Sequence, residues 1–306
     1  MSGGSPLLMA ESLGDGVSRV WRVDEVLWSG STAYQQLLIG RTVHGVTLFA
    51  EGDRQSSEST QRTYHEALMV PALTLAESVD SVLVVGSSEG VAGQIAVAAG
   101  ATLVDHVDID PEAVRLCASH LPYGYSKEQL ASAEAGAGVI RLHYADGWDY
   151  VHAAVEQGRR YDVIVLDLPD ERLVPAPHGR IFGADFLRTC GALLTAGGVV
   201  ATQAGCPTGW RNESLKKAWI RFRETFGTVV YYGSDEHEWA FLFGRADHVP
   251  DPRSAMTRRL DSLPYRASTI DGDALSGNST APFSVRHQAR RTVDSDTSSV
   301  RAGGGA

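Results

Sequence analysis

Between Ser81 and Thr202 the chain repeats one pattern: a short apolar run, a small or polar turn, then a helical stretch. The runs are Val82–Val85, Leu103–Ile109, Val139–Leu142, Val163–Leu166 and Val199–Thr202. Helical stretches at Val91–Ala99, Glu112–Leu121, Trp148–Glu156 and Phe186–Leu194 separate them. Runs this short and apolar read as strands buried on both faces, so helices must cover both sides. Such alternation with right-handed crossovers leads to a doubly wound parallel sheet, and the expected fold class is α/β. An amphipathic helix at Leu215–Phe226 follows. Val229–Tyr232 and Trp239–Phe243 then form a strand pair that closes one edge.

The rest of the chain divides around this block. Residues 1–20 are rich in Gly and Ser and are expected to be loose. Residues 21–58 read as a small β-domain with strands such as Tyr34–Ile39 and Val46–Phe49. Thr63 to Ser78 is helical, with Tyr64, Leu68, Ala72 and Leu75 on one face; Pro71 is expected to kink or divide it. The larger, Rossmann-like domain is taken as 59–286. Residues 287–306 are polar and Gly-rich and are expected to be a disordered tail.

Charge narrows the partners. With 27 Lys and Arg against 37 Asp and Glu, the net charge of -10 argues against general nucleic-acid or anionic-membrane binding. It suits a cationic small substrate. Cys117, Cys190 and Cys206 form no CxxC pair and no even framework, which points to a reducing cytoplasm. The first residues lack a basic start and a sustained apolar stretch, so no signal peptide is expected. The apolar region Ser81–Val104 is broken by Ser87, Ser88, Glu89 and Gln94 and is not a membrane span.

In sheets of this kind ligands bind beyond the carboxyl ends of the strands. After the first strand comes Gly86-Ser87-Ser88-Glu89-Gly90, whose small residues admit a ligand but do not form GxGxxG. After the second, Asp108 is placed to accept the hydroxyls of a ribose, while Asp110 before Pro111 reads as a helix cap. After the third, Asp146-Gly147 either meets the exocyclic amine of adenine or caps the helix at Trp148. Their order suggests a nucleoside held across the sheet. After the fourth strand comes Asp167-Leu168-Pro169-Asp170. Two acids this close raise one another's pKa unless a cation lies between them. A metal would want a supporting His cluster, which the sequence does not show; an ammonium substrate is the other natural cation.

Tyr64-His65-Glu66-Ala67-Leu68, the Gly86–Gly90 turn, Val107-Asp108-Ile109-Asp110-Pro111, Asp146-Gly147, Tyr161 through Asp170, Gly197-Gly198 and Gln203-Ala204-Gly205 occur in that order. This ordered set resembles the spermidine synthase family, the polyamine aminopropyltransferases, from about Tyr34 to about Arg286. The resemblance implies a small N-terminal β-domain beside a Rossmann-like methyltransferase-type domain, commonly as a homodimer. It implies decarboxylated S-adenosylmethionine as co-substrate, putrescine as acceptor, and spermidine and methylthioadenosine as products, with no metal or prosthetic group. It assigns Gln35, Gly86, Glu89, Asp108, Asp146 and Gly147 to the donor. Tyr64 and Asp167 become catalytic, and His65, Asp170 and Tyr231 or Tyr232 acceptor-side.

Elementary chemistry agrees with this assignment. An amine of pKa about 10.4 costs about 4–5 kcal/mol to deprotonate near neutrality. Asp170 would anchor the diamine while Asp167 takes the proton, aided by Tyr64. Glu89 stands where the family usually has Asp. A carboxylate there disfavours a donor that keeps its own carboxylate, by about 4 kcal/mol at ~4 Å and an effective dielectric of ~20. Other departures are Glu171 in place of Pro, Ser59-Thr60-Gln61-Arg62 in place of acids, and the stretch Gly233 to Glu238 in place of a Tyr-Pro loop. Two alternatives remain on the same scaffold: an S-adenosylmethionine-dependent methyltransferase or related transferase, and a non-catalytic nucleoside- or polyamine-binding protein.

Overall fold

The computed structural model describes residues 6–14, 16–169, 171 and 177–287. Asp170 and the tail beyond His287 lie outside these residues. Six strands come first: β1 (Leu7–Gly14), β2 (Val17–Val23), β3 (Glu25–Ser31), β4 (Gln36–Thr42), β5 (Gly45–Ala50) and β6 (Asp53–Ser57). β1 and β2 make an antiparallel hairpin, and β3 to β6 an antiparallel sheet in sequence order. The expectation that residues 1–20 are loose is therefore corrected from Leu7 onward. The hairpin is ordered because Trp21 and Val23 are buried against Phe49, with Met9 and Leu38 packed on them. The indole N–H of Trp21 also donates to the buried carboxylate of Glu11 at 2.6 Å.

Helix α1 (Gln61–Leu75) leads into the main sheet: β7 (Ser81–Gly86), α2 (Val91–Ala98), β8 (Leu103–Asp108), α3 (Pro111–His120), α4 (Lys127–Glu134), β9 (Ile140–Tyr144), α5 (Gly147–Glu156) and β10 (Tyr161–Asp167). After a 3-10 turn at Pro177–Phe182 come α6 (Ala184–Ala192), β11 (Leu194–Gln203), α7 (Glu213–Thr225), β12 (Thr228–Gly233) and β13 (Ala240–Arg245). Three short helices end the described chain: α8 (Pro252–Leu260), α9 (Gly272–Gly277) and α10 (Phe283–Arg286).

Seven strands run in the order β12-β13-β11-β10-β7-β8-β9. β7 to β11 are parallel, and β13 enters antiparallel between β11 and β12. This is the Rossmann-like, methyltransferase-type sheet. Alternation explains its two cores. Val82, Val84, Val163 and Val165 face one side with α1 and α2; Leu83, Val85, Ile164 and Leu166 face the other with α6 and α7.

Pro71 neither divides nor ends α1, which runs through it as one helix of 15 residues. From His65 to Leu75 every residue is buried, so packing outweighs the missing hydrogen bond. Strand order reverses between β7 and β10, which places a crevice beyond Gly86 and Asp167.

Candidate active site

The turn after β7 is shaped by its neighbours. Gly86 and Gly90 have φ of 83° and 79°, and Ser87 follows with φ of 65°, which is uncommon for a side chain bearing a Cβ. A Cβ at Gly86 would collide with the Asp167 carbonyl, and one at Gly90 with the Tyr125 ring. His106 fastens the turn from below: Nε2 meets the Gly86 carbonyl at 2.8 Å and Nδ1 the Tyr125 hydroxyl at 2.9 Å. Burial lowers the His106 pKa to about 4, so the ring is neutral. The Ser87 hydroxyl is buried without a partner at this turn.

Asp108, at the end of β8, accepts from the Ser88 hydroxyl at 2.8 Å and from the Asp110 N–H at 2.9 Å. Burial pushes its pKa up to about 6 despite these bonds, and the charges of Asp110 and Glu89 add to the push. Asp110 is the cap expected of it, accepting from the Ala113 N–H at 3.1 Å. Its other oxygen takes the Thr32 hydroxyl at 2.6 Å and the Gln35 side-chain amide at 3.0 Å. Gln35 is thus held at the crevice through Asp110. Asp146 caps α5 through the Trp148 N–H at 2.8 Å, and its second oxygen pairs with Arg180 at 2.9 Å. Glu89 is buried beside Asp108, with its carbonyl held by the Tyr125 N–H. The small turn, the buried carboxylate and the orphan hydroxyl fit a nucleoside with a ribose over Asp108. Among the described residues no group of three His, Cys, Asp or Glu stands in metal-ligating array.

The reacting end lies where α1 meets β10. Tyr64 donates its hydroxyl to Asp167 Oδ1 at 2.7 Å, joining two residues 103 positions apart. Tyr64 stacks edge-on against His65 and Phe241, with centroids 5.2 Å away in each case. His65 is buried, and its Nδ1 meets the Gln61 carbonyl at 2.7 Å. Nδ1 therefore carries a proton, and Nε2 is buried without a partner. Glu66 is fully buried, fixed by Tyr265, Ser268 and Thr269.

A cavity of about 190 Å³ opens beside Tyr64, between the β1–β2 hairpin, the start of α1 and the β12–β13 loop. Arg19, Trp21 and Arg54 form one wall, His237, Glu238 and Trp239 another. Glu238 pairs with both Arg19 and Arg54. These wall residues lie outside the sequence-derived set. Residues 17–21 carry no apolar alternation that would mark the strand, since Val17 and Val20 are exposed while Arg19 and Trp21 point inward. Tyr232, the acceptor-side candidate, does not line this cavity. It is 2% exposed within the core and absent from the cavity wall, because its side chain points into the layer under α1. Tyr231 is buried in the opposite core.

A sequence model of the spermine/spermidine synthase domain matches residues 61–232. Polyamine aminopropyltransferase 2 of Hyperthermus butylicus is 32% identical over 267 residues, spanning 83% of this chain and 81% of the relative. Polyamine aminopropyltransferase of Aeropyrum pernix is 31% identical, over 74% of this chain and 71% of the relative. Spermidine synthase from Thermotoga maritima superposes with a TM-score of 0.74 at 18% identity, covering 92% of this chain and 93% of that one.

Proposed function

This chain belongs to the spermine/spermidine synthase family, and from that membership we propose putrescine as its acceptor, with spermidine and methylthioadenosine as products. The chain is an aminopropyltransferase, with decarboxylated S-adenosylmethionine as co-substrate. The observation that carries the reading is the Tyr64–Asp167 hydrogen bond at the junction of nucleoside crevice and cavity.

In this reading Asp108 receives the ribose hydroxyls, and Asp146-Gly147 border the adenine. Glu89 attracts the ammonium of the aminopropyl arm. The acceptor amine, its second charge anchored by Asp170, approaches past Tyr64. Its lone pair attacks the carbon next to the sulfonium, the carbon–sulfur bond breaks toward sulfur, and Asp167 takes the amine proton. Tyr64 orients Asp167, and His65 lies beside Tyr64 on the acceptor side. Alignment of nucleophile, carbon and leaving sulfur supplies much of the acceleration.

The same reading makes the protein a cytoplasmic homodimer with no nucleic-acid or membrane partner. The three cysteines are free and buried, and no helix among the described residues is long and apolar enough to cross a membrane. The test is direct. Purified protein is incubated with putrescine and either decarboxylated or intact S-adenosylmethionine, and products are identified by mass. Spermidine plus methylthioadenosine from the decarboxylated donor alone is expected. A methylated amine from the intact donor would reject the reading.

A further inference from the structure

The wall of the 190 Å³ cavity is unlike what a bare diamine needs. Its buried, unpartnered polar atoms are Arg54 Nε and His237 Nε2. Both are donors. Arg54 always carries its Nε proton. His237 is neutral, because burial lowers its pKa to about 4, and its Nδ1 accepts from the Trp239 N–H at 3.3 Å, so the proton is on Nε2. An ammonium brings only donors and satisfies neither. The Trp21 ring is also taken: the guanidiniums of Arg19 and Arg54 lie 5.5 and 5.6 Å from its centroid. Glu238 bridges both guanidiniums from a loop, with its side chain about one-third exposed at 34%. It presents to them the group that a substrate carboxylate would present.

We propose that this end of the cavity is a carboxylate subsite, extending the acceptor range from putrescine to α,ω-diamino acids of similar length. The proposal rests on the aminopropyl-transfer reading above. The ω-amine reaches Tyr64 and Asp167, while the carboxylate takes the Arg54 and His237 donors and displaces Glu238 from Arg54. Glu236, exposed on the same loop, offers a counter-charge to the α-ammonium. The chemistry is unchanged and balances. The neutral ω-amine forms a bond to the aminopropyl carbon, and the carbon–sulfur pair leaves with methylthioadenosine. Asp167 takes one proton, and the product is an N-aminopropyl diamino acid.

The experiment compares putrescine, ornithine and 2,4-diaminobutyrate with the decarboxylated donor, reading methylthioadenosine release and product mass. Aminopropylated ornithine or diaminobutyrate is expected alongside spermidine. Arg54→Met should lower kcat/KM for the diamino acid relative to putrescine by about tenfold or more, and Arg54→Lys should restore part of the ratio. Glu238→Gln, which removes the competing carboxylate, should shift the ratio toward the diamino acid. Spermidine formation with no diamino-acid product would overturn the subsite and leave the transferase reading standing. Equal losses for both acceptors in the Arg54 variants, or a Glu238→Gln shift toward putrescine, would also overturn it. No transfer to any of the three amines would remove the underlying reading.

Discussion

At the scale of single residues, the site is organised by carboxylates in different surroundings. Asp167, the proposed proton acceptor, is half-buried and joined to Tyr64. Asp167→Asn should lower kcat by about a hundredfold or more while the donor KM stays within a few fold. Near-normal turnover would reject the assignment. Asp108 is held protonated by burial up to about pH 6. Its raised pKa favours the folded state fully below its usual 3.8, and that contribution is lost as pH rises through about 6. In the proposed reading donor binding has the opposite slope, since the ribose hydroxyls would donate to the ionised form. The donor KM should therefore fall between pH 5 and 7 in the wild type and stay flat in Asp108→Asn. Glu89→Gln should narrow the preference for decarboxylated over intact donor by about tenfold or more, measured as a ratio of kcat/KM. Asp108, Asp167 and Tyr64 were legible from position after a strand and from motif. Arg180, which pairs with Asp146, was not, because it arrives from 34 residues downstream through a segment with no periodic pattern.

At the scale of elements, α1 carries Tyr64 and His65 and is fastened from outside the sheet. Glu66 accepts the Ser268 and Thr269 N–H groups and hydroxyls and the Tyr265 hydroxyl. Burial alone would push its pKa up, but the bonds from Thr269, Ser268 and Tyr265 outweigh it and hold it below the usual 4.5. Glu66→Ala leaves those donors unpaired and should cost about 3 kcal/mol or more, read as a lowered denaturation midpoint. The wild type should lose this contribution only as pH falls below about 4.5, where the carboxylate begins to protonate. The central strands β7 and β10 were readable because burial on both faces leaves the apolar runs Val82–Val85 and Val163–Leu166. The first hairpin was not, since one of its faces is exposed, with Leu8 at 66% and Val20 at 63%. Helix α4 has a start written in its sequence, the capping box of Ser126 and Gln129.

At the scale of the whole molecule, the β-sheet of residues 25–57 and the larger domain share a core. Leu37, Ile39, Val46 and Leu48 pack against Ala113, Cys117 and Leu121 of the α3 segment, and Asp110 reaches across to Thr32 and Gln35. The pattern of apolar residues announced two units; it could not announce their seam, because the contacts join positions more than 60 apart. That seam carries its own reporter. Cys117 is 1% exposed within it, and burial holds its thiol well above the usual 9.0. Cys190 is buried instead on the inner face of α6, in the core on the far side of the sheet. A thiol-specific alkylating reagent followed by mass mapping would therefore clock two openings in one tube. Gln35→Ala should speed capture at Cys117 and leave capture at Cys190 unchanged. Equal acceleration at both would mean that the sheet and the larger domain open as one body.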